Sequence, residues 1–206
     1  MAITTYAELQ TTISDFLNRD DLAAVVPTFI SLAEARINRE LRHFNMVKRS
    51  TAAADTRYST PPGDWLETVR LHITDNPPSD LELISQNDMA QMREQRGNTQ
   101  GRPRFYAITA GEIEFFPTPD DSYTSELVYY ANVPALSDSN ASNWLLSKYP
   151  DIYLYGALVH TAPYLDDDQR TQTWAALYQS ALDTANAESE KARHSGSGLR
   201  MLIRSY

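Results

Sequence analysis

No cysteine occurs among the 206 residues, which removes disulfides and thiolate chemistry and leaves stability to packing and subunit contacts. A metal site would have to come from carboxylates and histidines. The four histidines, His43, His72, His160 and His194, are scattered, and none pairs with another at the spacing that sets two imidazoles on one helical face. The chain has no Gly-x-Ser-x-Gly, no phosphate-binding glycine loop and no dinucleotide fingerprint. No catalytic residue, cofactor or metal is therefore expected. No apolar run approaches the roughly 20 residues that cross a bilayer, so no membrane insertion is expected. Residues 1–8 lack the basic and apolar regions of a signal peptide, which points to synthesis and use in a cytoplasm. Neither an internal repeat nor a low-complexity tract is present.

What remains is an ordinary globular composition, 42% hydrophobic and 22% charged, long enough for one substantial core or one domain with a sizeable insertion. The charge is unevenly spread. Net charge is −9, yet residues 191–206 hold Lys191, Arg193, Arg200 and Arg204 and no acid, so this tail carries +4 and the other 190 residues carry −13. A body of that sign repels phosphate; it suits a wall past which DNA slides better than a surface that grips it.

Residues 5–18 read as a helix, with Thr5 and Glu8 at capping-box spacing and Tyr6, Leu9, Ile13, Phe16 and Leu17 on one face. A second helix starts near Asp21 or at Pro27 and ends around Asn45. Its other face, with Glu34, Arg36, Arg39, Glu40 and Arg42, reads as solvated or subunit-facing. From 46 to 133 the pattern turns β-like between proline breaks. A hairpin pairs 105–109 with 112–116 across Ala110 and Gly111, residues 127–132 would add a third strand, and a short helix over 85–95 is capped by Ser85. Helix returns at Asn143 or Pro150 and closes near Pro163. A long helix follows, with Trp174, Leu177, Tyr178, Ala181, Leu182 and Ala185 as its inner stripe. Ser195-Gly196-Ser197-Gly198 is a hinge, after which apolar and basic residues alternate as in a strand. The expected fold is α+β: mainly a helical bundle from residues 1–45 and 143–194, a small antiparallel β-rich insertion over 46–142, and an extended C-terminal arm over 195–206.

Three groups invite a functional reading. Asp166, Asp167 and Asp168 have oxygen ligands for a hard cation, but their place before a long helix, without a turn glycine or further ligands at defined spacing, favours capping. Arg93, Arg96, Arg102 and Arg104 flank a loop over 97–101. It reads first as a solvated loop and second as a contact for an acidic neighbour, with DNA phosphate a further choice. Tyrosine is abundant, at 12 residues, and Tyr149, Tyr153, Tyr155 and Tyr164 suit either core or subunit boundary, since the ring is apolar and the hydroxyl polar.

Three blocks carry a resemblance that spans nearly the whole chain: TYAEL at 5–9 leading to AEARINREL at 33–41, GEIEFFPTPD at 111–120, and the passage NWLL at 143–146, KYPDIYLYGALVH at 148–160, YLDDDQR at 164–170 and WAALY at 174–178. Together they resemble the head-to-tail adaptor (connector) proteins of tailed bacteriophages, and the last block is the most specific. The resemblance implies a structural virion protein at the head-tail junction, assembled in the host cytoplasm. It implies a homo-oligomeric ring, usually of twelve copies, between the portal protein and the tail nozzle or tail-tube proteins. Double-stranded DNA would pass without sequence-specific binding. A C-terminal extension would grip the portal, which makes Leu199, Arg200, Met201, Ile203, Arg204 and Tyr206 the portal-contact candidates. No catalytic residue is transferred. Two other classes stay in view: a cytoplasmic enzyme or small-ligand domain with a site between helices and sheet, and a DNA-binding module using the arginine loop.

Overall fold

The computed structural model describes residues 3–164 and 168–194. In chain order the elements are α1 (Tyr6–Leu17), α2 (Val26–Glu40), β1 (Val47–Ala54), β2 (Tyr58–Ser59), β3 (Trp65–Ile73), β4 (Ser79–Asp80), β5 (Glu82–Leu83) and α3 (Gln86–Arg96). There follow β6 (Phe105–Thr109), β7 (Glu112–Phe116), β8 (Tyr123–Ala131), α4 (Trp144–Lys148), α5 (Pro150–Val159) and α6 (Asp168–His194). They divide into a helical unit, Met1–Asn45 with Val133–Tyr206, and a sheet unit, Met46–Asn132.

In the helical unit, Thr5 and Glu8 close a capping box on α1, and Asn18 ends it in the left-handed conformation (φ 51°). Pro27 sits in the first turn of α2, where its missing N–H costs nothing. α5 lies at the centre, packed against α1, α2 and α6, and buries Ile152, Tyr153, Leu154, Gly156, Ala157 and Leu158. Gly156 is needed by this approach. A Cβ there would stand 3.1 Å from the Tyr178 ring of α6 and 3.3 Å from the Ala33 Cβ of α2.

The charged face of α2 is not simply solvated. Glu34 accepts from the Leu136 backbone N–H at 2.7 Å and Asn38 from Val133 at 2.9 Å, fastening the segment before α4 to this helix. Glu40 accepts from the Tyr178 hydroxyl at 3.1 Å, and the Arg36 guanidinium lies 4.4 Å from that ring's centre. Residues on the face read as solvated or subunit-facing are partly spent inside the unit, because a polar helix face can satisfy a neighbouring extended backbone as well as water can.

The sheet unit contains two four-stranded sheets, in the orders β1-β8-β3-β4 and β2-β7-β6-β5. Their facing sides share a core of Leu71, Ile73, Tyr106, Ile113, Phe115, Leu127 and Tyr129. α3 covers the other side of β6 and β7 through Met89, against Ala107 and Phe116. The hairpin turn puts Ala110 and Gly111 at positive φ (53° and 83°), the geometry that matches strand twist in a two-residue loop.

The expectation of mainly a helical bundle with a small antiparallel insertion is therefore corrected. The structure is an α+β fold with six α-helices and two four-stranded sheets among the described residues, in which the sheets have a core of their own. Two further corrections follow from pairing. β8 does not extend the β6–β7 hairpin but lies between β1 and β3 in the other sheet, and β5 runs parallel to β6. The underestimate has a physical cause. β3 carries register shifts between Trp65 and Glu67 and between Thr68 and Arg70, which break the two-residue alternation, and β2, β4 and β5 are two residues each. The expected arm, residues 195–206, lies outside the described residues.

Candidate functional site

The arginines flanking the 97–101 loop are sorted by α3. Ser85 caps this helix by accepting from the Asp88 backbone N–H at 3.1 Å, and Met89 seats it on the sheet. Arg93, one turn beyond Met89, is thereby aimed at β7, where its Nε donates to Glu114 Oε1 at 2.7 Å. Its other nitrogens donate to the Phe115 carbonyl at 2.7 Å and the Thr118 hydroxyl at 3.2 Å. Arg57 reaches the same Glu114 oxygen at 2.7 Å. Burial raises the Glu114 pKa, but hydrogen bonds from Arg57 and Arg93, with their charge, outweigh it and hold the carboxyl below its usual range. Arg93 is thus a structural pin.

Arg96, Arg102 and Arg104 differ. They line a cleft of about 420 Å³ with Met92, Gly101, Phe105, Phe116 and Pro117. Arg102 donates to the carbonyls of Asp75 at 2.8 Å and Pro77 at 2.5 Å, while Arg96 and Arg104 are exposed. Glu114 and Arg57 went unnoticed in the sequence. The signal was the run of apolar neighbours around Glu114, which leaves an acid within a strand covered on both faces.

The tyrosines separate in the same way. Tyr153 is fully buried and donates toward Glu34 while accepting from the Asn143 amide at 2.7 Å; burial pushes its hydroxyl pKa up, the nearby Glu34 charge adding to this. Tyr149 is half-buried and donates to Glu188 at 2.5 Å, an acid that also receives Lys148. Tyr155 is half-buried, and Tyr164 is 48% exposed, its ring meeting that of Phe29 edge-on with centroids 5.3 Å apart. His43 is buried and stacked on Trp144, centroids 5.1 Å apart. Its Nδ1 accepts from the Asn45 N–H at 3.2 Å, so the Nε2 proton faces Tyr149. Burial lowers its pKa, and the Lys148 charge lowers it further.

Among the described residues no three acids or histidines are grouped to hold a metal, and no helix is long and apolar enough to cross a membrane. A second cleft of about 250 Å³ opens in the sheet unit over Leu71, Ile113, Phe115 and Leu127. Its lining contains no ionisable side chain, so it offers no group for acid-base chemistry. Asp168 opens α6; Asp166 and Asp167 lie outside the described residues, as do the portal-contact candidates Leu199, Arg200, Met201, Ile203, Arg204 and Tyr206.

The family model described as SU10 adaptor protein matches residues 4–201, a span that includes the whole sheet unit and most of both segments of the helical one. The chain belongs to that family, a phage head-tail adaptor family. No curated protein matches it. As a phage adaptor it is a component of the virion's head-tail junction, working with head and tail components. The family is structural, and the residues gathered above for the adaptor are donors, acceptors and apolar anchors.

Proposed function

We propose that this adaptor assembles into a ring between the phage portal and the tail, continues the DNA channel and presents a platform for nozzle or tail-tube proteins. The observation that carries the reading is family membership over residues 4–201. A chain of two units offers different surfaces to its two neighbours, and a head-to-tail contact whose rotation closes makes a ring. Twelve copies is the number proposed, as in the resemblance. Its mechanism is mechanical. With −9 per copy, the assembled wall repels a passing duplex more than it holds it, which favours sliding.

Portal binding is assigned to Leu199, Arg200, Met201, Ile203, Arg204 and Tyr206, whose alternating apolar and basic residues suit strand addition to a partner. Subunit contacts fall on Tyr149, Tyr155 and Tyr164, which keep exposed surface, whereas Tyr153 is enclosed by its own chain.

The mass of the purified protein, alone and with portal, tests the reading. A chain of 23.3 kDa that joins the portal as a closed multimer is expected. A protein that stays a single copy beside the portal would reject the connector.

A further inference from the structure

The sheet unit has seven arginines in residues 46–132. Arg49, Arg57, Arg70 and Arg93 pair with Glu126, Glu114, Asp80 and again Glu114. The three that meet no carboxylate among the described residues, Arg96, Arg102 and Arg104, all line one cleft, and no described acid lines it with them. In a chain with 27 acids against 18 lysines and arginines, unpaired guanidiniums do not reflect a scarcity of partners.

The backbone places Arg96 and Arg104, and Arg102 is also held through its side chain. Arg96 is in the last turn of α3, and Arg102 is tied to the carbonyls of Asp75 and Pro77, with its Nε buried and unpartnered. The backbone of Arg104 is fixed on both sides, its N–H donating to the Phe116 carbonyl and its own carbonyl accepting from Glu82, both at 3.0 Å. Beneath them Met92, Phe105, Phe116 and Pro117 form an apolar floor, and Gly101 contributes bare backbone. One tethered guanidinium, Arg102, flanked by two exposed ones over such a floor matches carboxylates carried next to an apolar side chain, because the floor excludes water from the ion pairs. A DNA phosphate would use the rim and leave the floor uncovered.

We propose that this cleft is one half of the subunit contact and that its occupant is an acidic, apolar-anchored segment of a second copy of this chain. This rests on the ring reading above. The chain's own longest acidic run has the required chemistry: Asp166, Asp167 and Asp168 follow Tyr164 and Leu165, and Tyr164 is exposed. A contact between two different surfaces of one chain is heterologous, the kind that closes rings.

The absence of native cysteine makes the test direct. In particles carrying Arg104→Cys with Asp167→Cys, a short bis-maleimide should give a ladder at multiples of 23.3 kDa, and neither single variant should. Arg96→Glu with Arg104→Glu should lower incorporation into particles about tenfold or more, and adding Asp166→Lys with Asp167→Lys should restore it. A purely structural role for these arginines would not be rescued. Amine cross-linking of wild-type particles separates the two readings. If it yields the ladder while the cysteine pair does not, the ring stands and this contact is overturned. If neither yields it, both fall. Capture of the Arg104→Cys site by a portal or tail protein also overturns the contact.

Discussion

Single side chains in this adaptor show how burial decides what a polar group does. Arg93 and Arg96 are less than one helical turn apart, yet one is locked on Glu114 and the other faces solvent, because Met89 fixes which side of α3 meets the sheet. His43 and His160 both have their pKa lowered by burial, and His43 shows the consequence near neutral pH. Its folded pKa lies below the ordinary 6.5, so the unfolded chain takes up the proton more readily, and the stability contributed by neutral His43 is present above that value and lost as pH falls through the folded pKa. Between about pH 7.5 and 5, His43→Phe should therefore flatten the fall in melting temperature, while losing roughly 1 kcal/mol at all pH values with the Asn45 hydrogen bond. Circular dichroism melts at both ends of that range check this, and an unchanged slope would assign the pH dependence to other groups.

The helices, capped or proline-led, were the most legible elements, because their signals are local: Thr5 with Glu8, Pro27, and Ser85 with Asp88 each act within one turn. The β6–β7 hairpin was legible for the same reason, through Ala110 and Gly111. Sheet membership was not. β8 pairs with β1, across some 75 positions of chain, and nothing in residues 123–131 marks which distant edge will accept them. The inner stripe of α6 was legible except at Leu177, which the periodic pattern placed inside and which is 41% exposed. α5 adds a case in which packing overrides propensity. Gly156→Ala would gain about 1 kcal/mol of helix propensity, but the Ala33 Cβ is fixed to the α2 backbone and Tyr178 is fully buried with its hydroxyl on Glu40. Overpacking costs roughly 1–3 kcal/mol, so a net loss near 1 kcal/mol is expected in chemical denaturation. A stabilised variant would mean that α2, α5 and α6 separate more easily than their packing suggests.

For the molecule as a unit of assembly, charge and architecture act together: an acidic body, a basic tail and a cleft that concentrates the unpaired arginines of the sheet unit. Removing residues 195–206 should weaken portal binding by about tenfold or more, measured by co-sedimentation with portal. Undiminished binding would reject the arm. Composition and short-range pattern sufficed for the acidic body, the basic tail, the absence of thiol chemistry and the capped helices, since each depends on residues close together in the chain. They also sufficed to gather four arginines around one loop. Which of the four meets a carboxylate, and that the middle of the chain builds two sheets around a core of its own, depended on the folded chain, because strand partners and the Glu114 that captures Arg93 are chosen by contacts between distant positions.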